Sequence, residues 1–189
     1  MKLFLIRHGE SVANREMTYA GQSDAKLTEL GCDQARAIRP ILENIPFGKV
    51  YSSDLSRAYD TQKLALPDFC AELTPLLREY DVGNLEGKPF LTMAQRTNCE
   101  DARDYSPYGG ENTELVNQRI RKFLRMLEED PCDYVAAFAH NGVMCSTLSV
   151  VLGAPYEYSA VRSGNCAIHV FDFDGKMWRL AAWNYMKPV

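Results

Sequence analysis

The stretch MKLFLIRHGES (residues 1–11) runs four apolar side chains, Leu3 to Ile6, straight into Arg7, His8, Gly9 and Glu10. A short unbroken apolar run bounded by polar residues reads as a strand buried on both faces, as in parallel sheets covered by helices. Strands of that kind end at the carboxyl edge where open α/β folds bind their ligands. A cation, an imidazole and a carboxylate at this tip therefore have either a chemical task or only local hydrogen bonds. The tripeptide RHG alone does not choose between the two.

The segments beyond it repeat the pattern. KVYSS (49–53) and YVAAFAH (134–140) read as two further buried strands. Between the first two lies LTELGCDQARAIRPILENI (27–45), in which Gln34, Ile38, Ile41, Leu42 and Ile45 fall at helical spacing, Thr28 is placed to cap the start and Pro40 predicts a break. After KVYSS, DLSRAYDTQKLAL (54–66) predicts a helix with Asp54 as its cap and Leu55, Tyr59, Gln62 and Leu66 along one face. ENTELVNQRIRKFLRMLEED (111–130) carries Val116, Ile120, Phe123, Leu124 and Leu127 on one stripe, the clearest helical period in the chain. GVMCSTLSVVLG (142–153) predicts another helix, and the strand-like runs NCAIHVFDF (165–173) and MWRLAAWN (177–184) are joined by Asp174-Gly175, a hairpin signal. Alternating strands and helices predict an α/β fold: a three-layer α/β/α sandwich with a mainly parallel central sheet and an antiparallel edge. Residues from about 80 to 110, rich in Gly, Asp, Asn and aromatics, break the alternation and predict a small cap subdomain with one short helix near Pro89–Asn98.

Size and composition exclude several classes. A chain of 189 residues without linker or repeat is expected to form a single domain spanning 1–189, with the cap as an insertion. No apolar run approaches the roughly 20 residues of a membrane span. The run after Met1 is too short for the core of a secretory signal, so a cytoplasmic location is expected. The six cysteines are scattered without a C-x-x-C pair, which argues for reduced, structural thiols rather than disulfides or a zinc site. A formal net charge of −4, with no dense block of Lys or Arg, argues against nucleic acid as a partner. It does not argue against a small anion, because a few cations converging in a cleft focus a positive potential on an acidic protein.

Such a convergence is present. Arg7 and His8 follow the first strand, Arg57 lies in the first turn after the second, and His140 follows the third. Parallel strands deliver all four side chains to one edge, where they would repel one another unless an anion lay between them. Phosphate suits such a pocket, since its oxygens accept the forked, charge-assisted hydrogen bonds that guanidinium groups donate. His169, inside a strand-like run, and Trp178 and Trp183 read instead as packing residues.

These residues resemble the histidine phosphatase superfamily, which includes the cofactor-dependent phosphoglycerate mutases. The resemblance covers nearly the whole chain: RHGES (7–11) with Asn14, GQSDAKLTELG (21–31), SSDLSRAYDT (52–61), LLREYDVGNLEG (76–87), GGEN (109–112), AHNG (139–142) and Asn165. It implies that His8 attacks phosphorus and becomes a phosphohistidine, that Arg7, Arg57 and His140 neutralise the transferring group, and that Glu79 is the general acid for the leaving oxygen. It also implies a phosphate- and substrate-binding set of Arg7, Asn14, Gln22, Arg57, His140 and Asn141, with no metal and no cofactor. Glu10 and Asp81 are the rival acids, but the family motif favours Glu79, and the plain reading of Glu10 is a carboxylate at a helix start. Asn141 departs from the family pattern, which commonly has glycine there. If the backbone is left-handed at that point, Asn tolerates it better than most residues.

The resemblance leaves the reaction open among three readings. A phosphomonoester hydrolase acting on small phosphorylated metabolites is favoured, because the cap lacks the extended basic insert of the glycolytic mutases: Lys88, Arg96 and Arg103 are offset by Glu86, Glu100, Asp101 and Asp104. Tyr80, Phe90, Tyr105 and Tyr108 would suit an apolar or aromatic leaving group. A phosphoglycerate mutase is the alternative, and a catalytically silent phosphate-binding protein is the third. The oligomeric state, a homodimer included, does not follow from the sequence.

Overall fold

A computed structural model of the chain describes residues 1–91, 95, 103–154, 161 and 163–185. Six strands, β1 (Lys2–Arg7), β2 (Lys49–Ser53), β3 (Glu72–Thr74), β4 (Tyr134–Ala139), β5 (Ile168–Phe173) and β6 (Trp178–Ala182), form one sheet in the order β3-β2-β4-β1-β5-β6. The first four in that order run parallel, and β5 and β6 complete the sheet antiparallel. The fold class is the predicted one.

The apolar strands are buried on both faces because each feeds two cores by simple alternation. Leu3 and Leu5 of β1, with Val135, Ala137 and Ala139 of β4, face one core, which α5 (Thr113–Glu128) and α6 (Asn141–Leu152) close. Phe4 and Ile6, with Ala136 and Phe138, face the other core, covered by α2 (Glu29–Ala37), α3 (Arg39–Leu42) and α4 (Ser56–Ala65). Helix α5 presents the stripe read from sequence: Val116, Ile120, Phe123, Leu124 and Leu127 are all buried, and Asn112 caps it by accepting from Leu115 N. Thr28 caps α2 as expected, and Pro40 falls in the first turn of α3, where its missing N–H costs nothing. At the β5–β6 junction Gly175 takes φ +90° while Asp174 Oδ1 accepts from the amides of Lys176 and Met177.

Four features depart from the sequence reading. The short helix α1 (Val12–Glu16), capped by Ser11 in a reciprocal box with Asn14, and the short edge strand β3 were not anticipated. Asp54 does not cap α4, whose N-cap is Leu55 without a side-chain bond. A bidentate pair with Arg78, at 2.8 and 2.6 Å, takes the Asp54 carboxylate instead. The buried face of α4 runs through Arg57, Ala58, Thr61, Gln62 and Ala65, so Tyr59 lies beside the stripe rather than on it. The short helix expected near Pro89–Asn98 falls largely outside the described residues, as do Arg96, Glu100 and Asp101.

Candidate active site

Register brings the chemistry-bearing residues together. Arg7 pairs with Ala139 across β1 and β4, and His8 N donates to Ala139 O at 3.0 Å, so His8 and His140 leave adjacent parallel strands side by side. Their ring centroids are 5.2 Å apart. Strand β2 ends beside them at Ser53, whose hydroxyl lies 2.9 Å from His140 Nε2.

His8 is 4% exposed, and its Nδ1 lies 2.6 Å from the Gly9 carbonyl. A carbonyl only accepts, so Nδ1 carries the proton and Nε2 keeps its lone pair. Burial, and then the positive charges of Arg57 and Arg7, hold the His8 pKa well below the ordinary histidine value. The ring is therefore neutral and nucleophilic across the physiological range. The loop behind it is held by two glycines in contact: a Cβ on Gly9 would strike the Gly31 carbonyl, and one on Gly31 would strike the Glu10 carbonyl. This close approach sets the start of α2 against the His8 turn and explains the glycine that ends LTELG.

Arg57 is almost fully buried and donates to Gly21 O at 2.7 Å and Ser23 O at 2.9 Å. Burial pushes its pKa down, and the carboxylates of Glu79, Glu86 and Asp24 oppose that shift. Glu86 holds the same loop from the other side through Gln22 N and the Ser23 hydroxyl. Arg7 donates from Nη1 to the Ser163 carbonyl. His140 is wholly buried, and its Nδ1 has no hydrogen-bond partner among the described residues.

Glu79 reaches the same place from the irregular segment after β3. Its Oε1 accepts from Tyr80 N at 2.9 Å and its Oε2 from Gly142 N, in the first turn of α6, at 3.1 Å. The backbone beneath it is gripped by Arg119, which donates to the carbonyls of Leu76, Arg78 and Glu79 and pairs with Glu111. The sequence reading missed Arg119, Gly142 and Ser53. GGEN, which ends in Glu111 and Asn112, was the only signal for that clamp, and it identified no partner.

Arg7, His8, Asn14, Arg57, Glu79 and Asn141 line one cavity of about 490 Å³. Asn14 Oδ1 accepts from Ser11 N and from Asn165 Nδ2, which also donates to the His8 carbonyl, so the Asn14 amide NH₂ is the end left for a ligand. Asn141 occupies the first position of α6 and is not left-handed. The conditional reason for Asn there thus does not apply. Gln22 does not line the cavity; its side chain bridges the Glu79 carbonyl and the Arg78 guanidinium. Neither rival acid lines it: Glu10 accepts from the Thr28 hydroxyl at the start of α2, and Asp81 accepts from Gly83 N. Of the four aromatics proposed for the leaving group, Phe90 and Tyr105 line the cavity, joined by Tyr19, while Tyr80 is buried in the core with its hydroxyl against Ser146.

Among the described residues, no group of three or more His, Cys, Asp or Glu side chains is arranged to hold a metal ion, and no helix is long and apolar enough to cross a membrane. None of the five cysteines described is in a disulfide, and Cys99 lies outside the described residues.

Arg7, Arg57, His8 and Glu79 around one cavity are suited to moving a phosphoryl group, with His140 lying behind His8, wholly buried and outside the cavity lining. Known proteins are similar to this chain in sequence and fold. Adenosylcobalamin/alpha-ribazole phosphatase of Escherichia coli is 31% identical over 83% of this chain and 82% of its own. The "Probable phosphoglycerate mutase GpmB" of Yersinia pestis is 30% identical over 97% and 90%. The structure of mycobacterial glucosyl-3-phosphoglycerate phosphatase in complex with VO3 superposes with a TM-score of 0.83 at 29% identity, covering 97% of this chain and 98% of that one. Residues 3–186 match the sequence profile of the Histidine phosphatase superfamily (branch 1), and the chain belongs to that family.

Proposed function

We propose that the protein is a phosphomonoester hydrolase that works through a phosphohistidine on His8, with small phosphorylated metabolites as substrates. The observation that carries this reading is the His8 tautomer: Nδ1–H is tied to Gly9 O, which leaves Nε2 as the free base in a cavity lined by Arg7 and Arg57.

In the first step Nε2 attacks phosphorus as the bond to the ester oxygen breaks. The departing alkoxide takes a proton from Glu79 and leaves as the alcohol. In the second step water attacks the phosphohistidine, giving its proton to Glu79 and returning His8 as the neutral base. Arg7, Arg57, His140 and the Asn14 amide take up the charge that gathers on the equatorial oxygens, and preorganised donors of this kind are usually the largest catalytic contribution.

Among the described residues, Arg7 and Arg57 are the cations of the cavity lining. Tyr19, Val82, Phe90, Tyr105 and Val161 form much of the rest, a surface that favours an apolar or aromatic leaving group over a second anionic one. Val82, Phe90 and Tyr105, from the segment read in sequence as a cap, are thus the side chains that select the alcohol. The test is hydrolysis of p-nitrophenyl phosphate in the presence of chelator, by the wild type and by His8→Ala. The reading predicts release by the wild type and none by the variant; equal release by both refutes it. Interconversion of 2- and 3-phosphoglycerate after priming with a bisphosphoglycerate, without net release of phosphate, would establish the mutase instead. Anion binding with neither activity would establish a silent phosphate-binding protein.

A further inference from the structure

His169 is a fully buried imidazole that the mechanism above does not use. It sits on β5 opposite Leu5, with the Trp183 ring against it at a centroid distance of 3.8 Å. Burying an imidazole requires partners for both nitrogens. Nδ1 receives the backbone N–H of Asn184 at 3.3 Å, and Nε2 lies 2.8 Å from Ser163 Oγ.

The proton count settles the direction of the second bond. A backbone N–H can only donate, so Nδ1 is the bare acceptor and the ring proton is on Nε2. Burial holds the His169 pKa down at about 3, so the ring stays neutral and does not gain a second proton. Nε2–H therefore donates to Ser163 Oγ, which has its own hydrogen still to give. Ser163 is itself 7% exposed and lines the cavity beside Arg7 and His8, and its carbonyl receives the Arg7 guanidinium. One residue thus fixes a cation of the site through its backbone and presents a polarised O–H through its side chain.

We propose that Ser163 is a phosphate-binding residue of this cavity, its hydroxyl donating to a phosphoryl oxygen on the Arg7 side, and that His169 is a positioning residue that holds the hydroxyl in its donating orientation. The assignment rests on the phosphoryl-binding reading of the cavity and adds a neutral donor to it.

Calorimetric titration with orthophosphate and orthovanadate tests the assignment without requiring turnover. Ser163→Ala is expected to weaken both anions about tenfold or more, as expected for loss of a hydrogen bond to a charged group. Ser163→Thr, which keeps the hydroxyl, stays within about threefold of the wild type. His169→Phe, which keeps a ring against Trp183, weakens binding in the wild-type background and adds nothing in the Ser163→Ala background. Binding by Ser163→Ala within twofold of the wild type overturns the assignment of Ser163. Equal losses from His169→Phe in both backgrounds overturn the positioning role and leave His169 as a packing residue. A wild type that binds neither anion overturns the phosphoryl reading itself and this assignment with it, a result distinct from the other two.

Discussion

Adding one methyl group at Gly142 tests how the proposed acid is held. A Cβ there would stand 2.1 Å from Glu79 Oε1 and 2.5 Å from the Tyr80 ring, where ordinary contacts begin at 3.4 Å. Tyr80 is packed in the core, so the start of α6 and the Glu79 carboxylate have to move apart from their present places, by about 1 Å or more. That movement also strains the 3.1 Å bond from Gly142 N, the link between Glu79 and the start of α6. A displacement of about 1 Å in a catalytic group costs on the order of 10²-fold in rate. Gly142→Ala should therefore lower kcat by about that factor on an alkyl phosphate, whose alkoxide cannot leave without a proton. On p-nitrophenyl phosphate, whose phenolate leaves unaided, the loss should be several-fold at most. The assay is steady-state release of phosphate from the two substrates, with a thermal melt to show that the variant is folded. Equal losses on both substrates would refute the role of Glu79 as proton donor, and no loss on either would refute the packing argument.

Other consequences follow from the same geometry. Arg57→Met should reduce kcat/KM by about 10²-fold or more, because it removes a preorganised charge from the phosphoryl group and also releases the loop carrying Gly21 and Ser23; activity within threefold of the wild type would contradict this. Phe123→Ala, at a wholly buried ring in edge-to-face contact with Tyr51, should cost about 3–5 kcal/mol in chemical denaturation; a cost below about 1 kcal/mol would contradict the packing. The pH dependence of stability has a definite sign. His8, His140 and His169 all have folded pKa values below the ordinary one, so between about 6.5 and those lower values the unfolded chain binds more protons than the native one. Stability should fall as the pH drops below about 6.5, by up to about 1.4 kcal/mol per pH unit for each histidine, and a flat profile between pH 6.5 and 5 would contradict it.

The parts of the fold legible in the sequence were those written in periodicity. β1 and β4 are short apolar runs that face two cores at once, β2 does the same with the pair Val50 and Tyr51, and α5 repeats its apolar stripe from Val116 to Leu127. Because parallel strands share an edge, their terminal residues could be gathered into one site before any geometry was known. What stayed hidden depends on partners distant in sequence. Asp54 has the chemistry of a helix cap, but the Arg78 guanidinium offers it two charged bonds where the helix offers one neutral donor. Ser53, Gly142 and Arg119 look unremarkable in sequence, since each acts through a residue at least 40 positions away: His140 for Ser53, Glu79 for the other two. Gln22 reads as a site residue by its motif, whereas its side-chain bonds to the Glu79 carbonyl and the Arg78 guanidinium appear only in the fold. His169 reads from its strand position as a satisfied structural residue, and the partners that satisfy it, the Asn184 amide and the Ser163 hydroxyl, cannot be placed without the fold.

The central claim is that the phosphoryl group passes through His8 on its way to water, which requires two successive in-line displacements at phosphorus. The stereochemical course of transfer measures this directly, using a phosphomonoester made chiral at phosphorus by oxygen isotopes and an alcohol as the acceptor in place of water. Each in-line displacement inverts the configuration, so two restore it. Net retention is the predicted result. Net inversion would mean a single direct displacement by the acceptor and would contradict the phosphohistidine route.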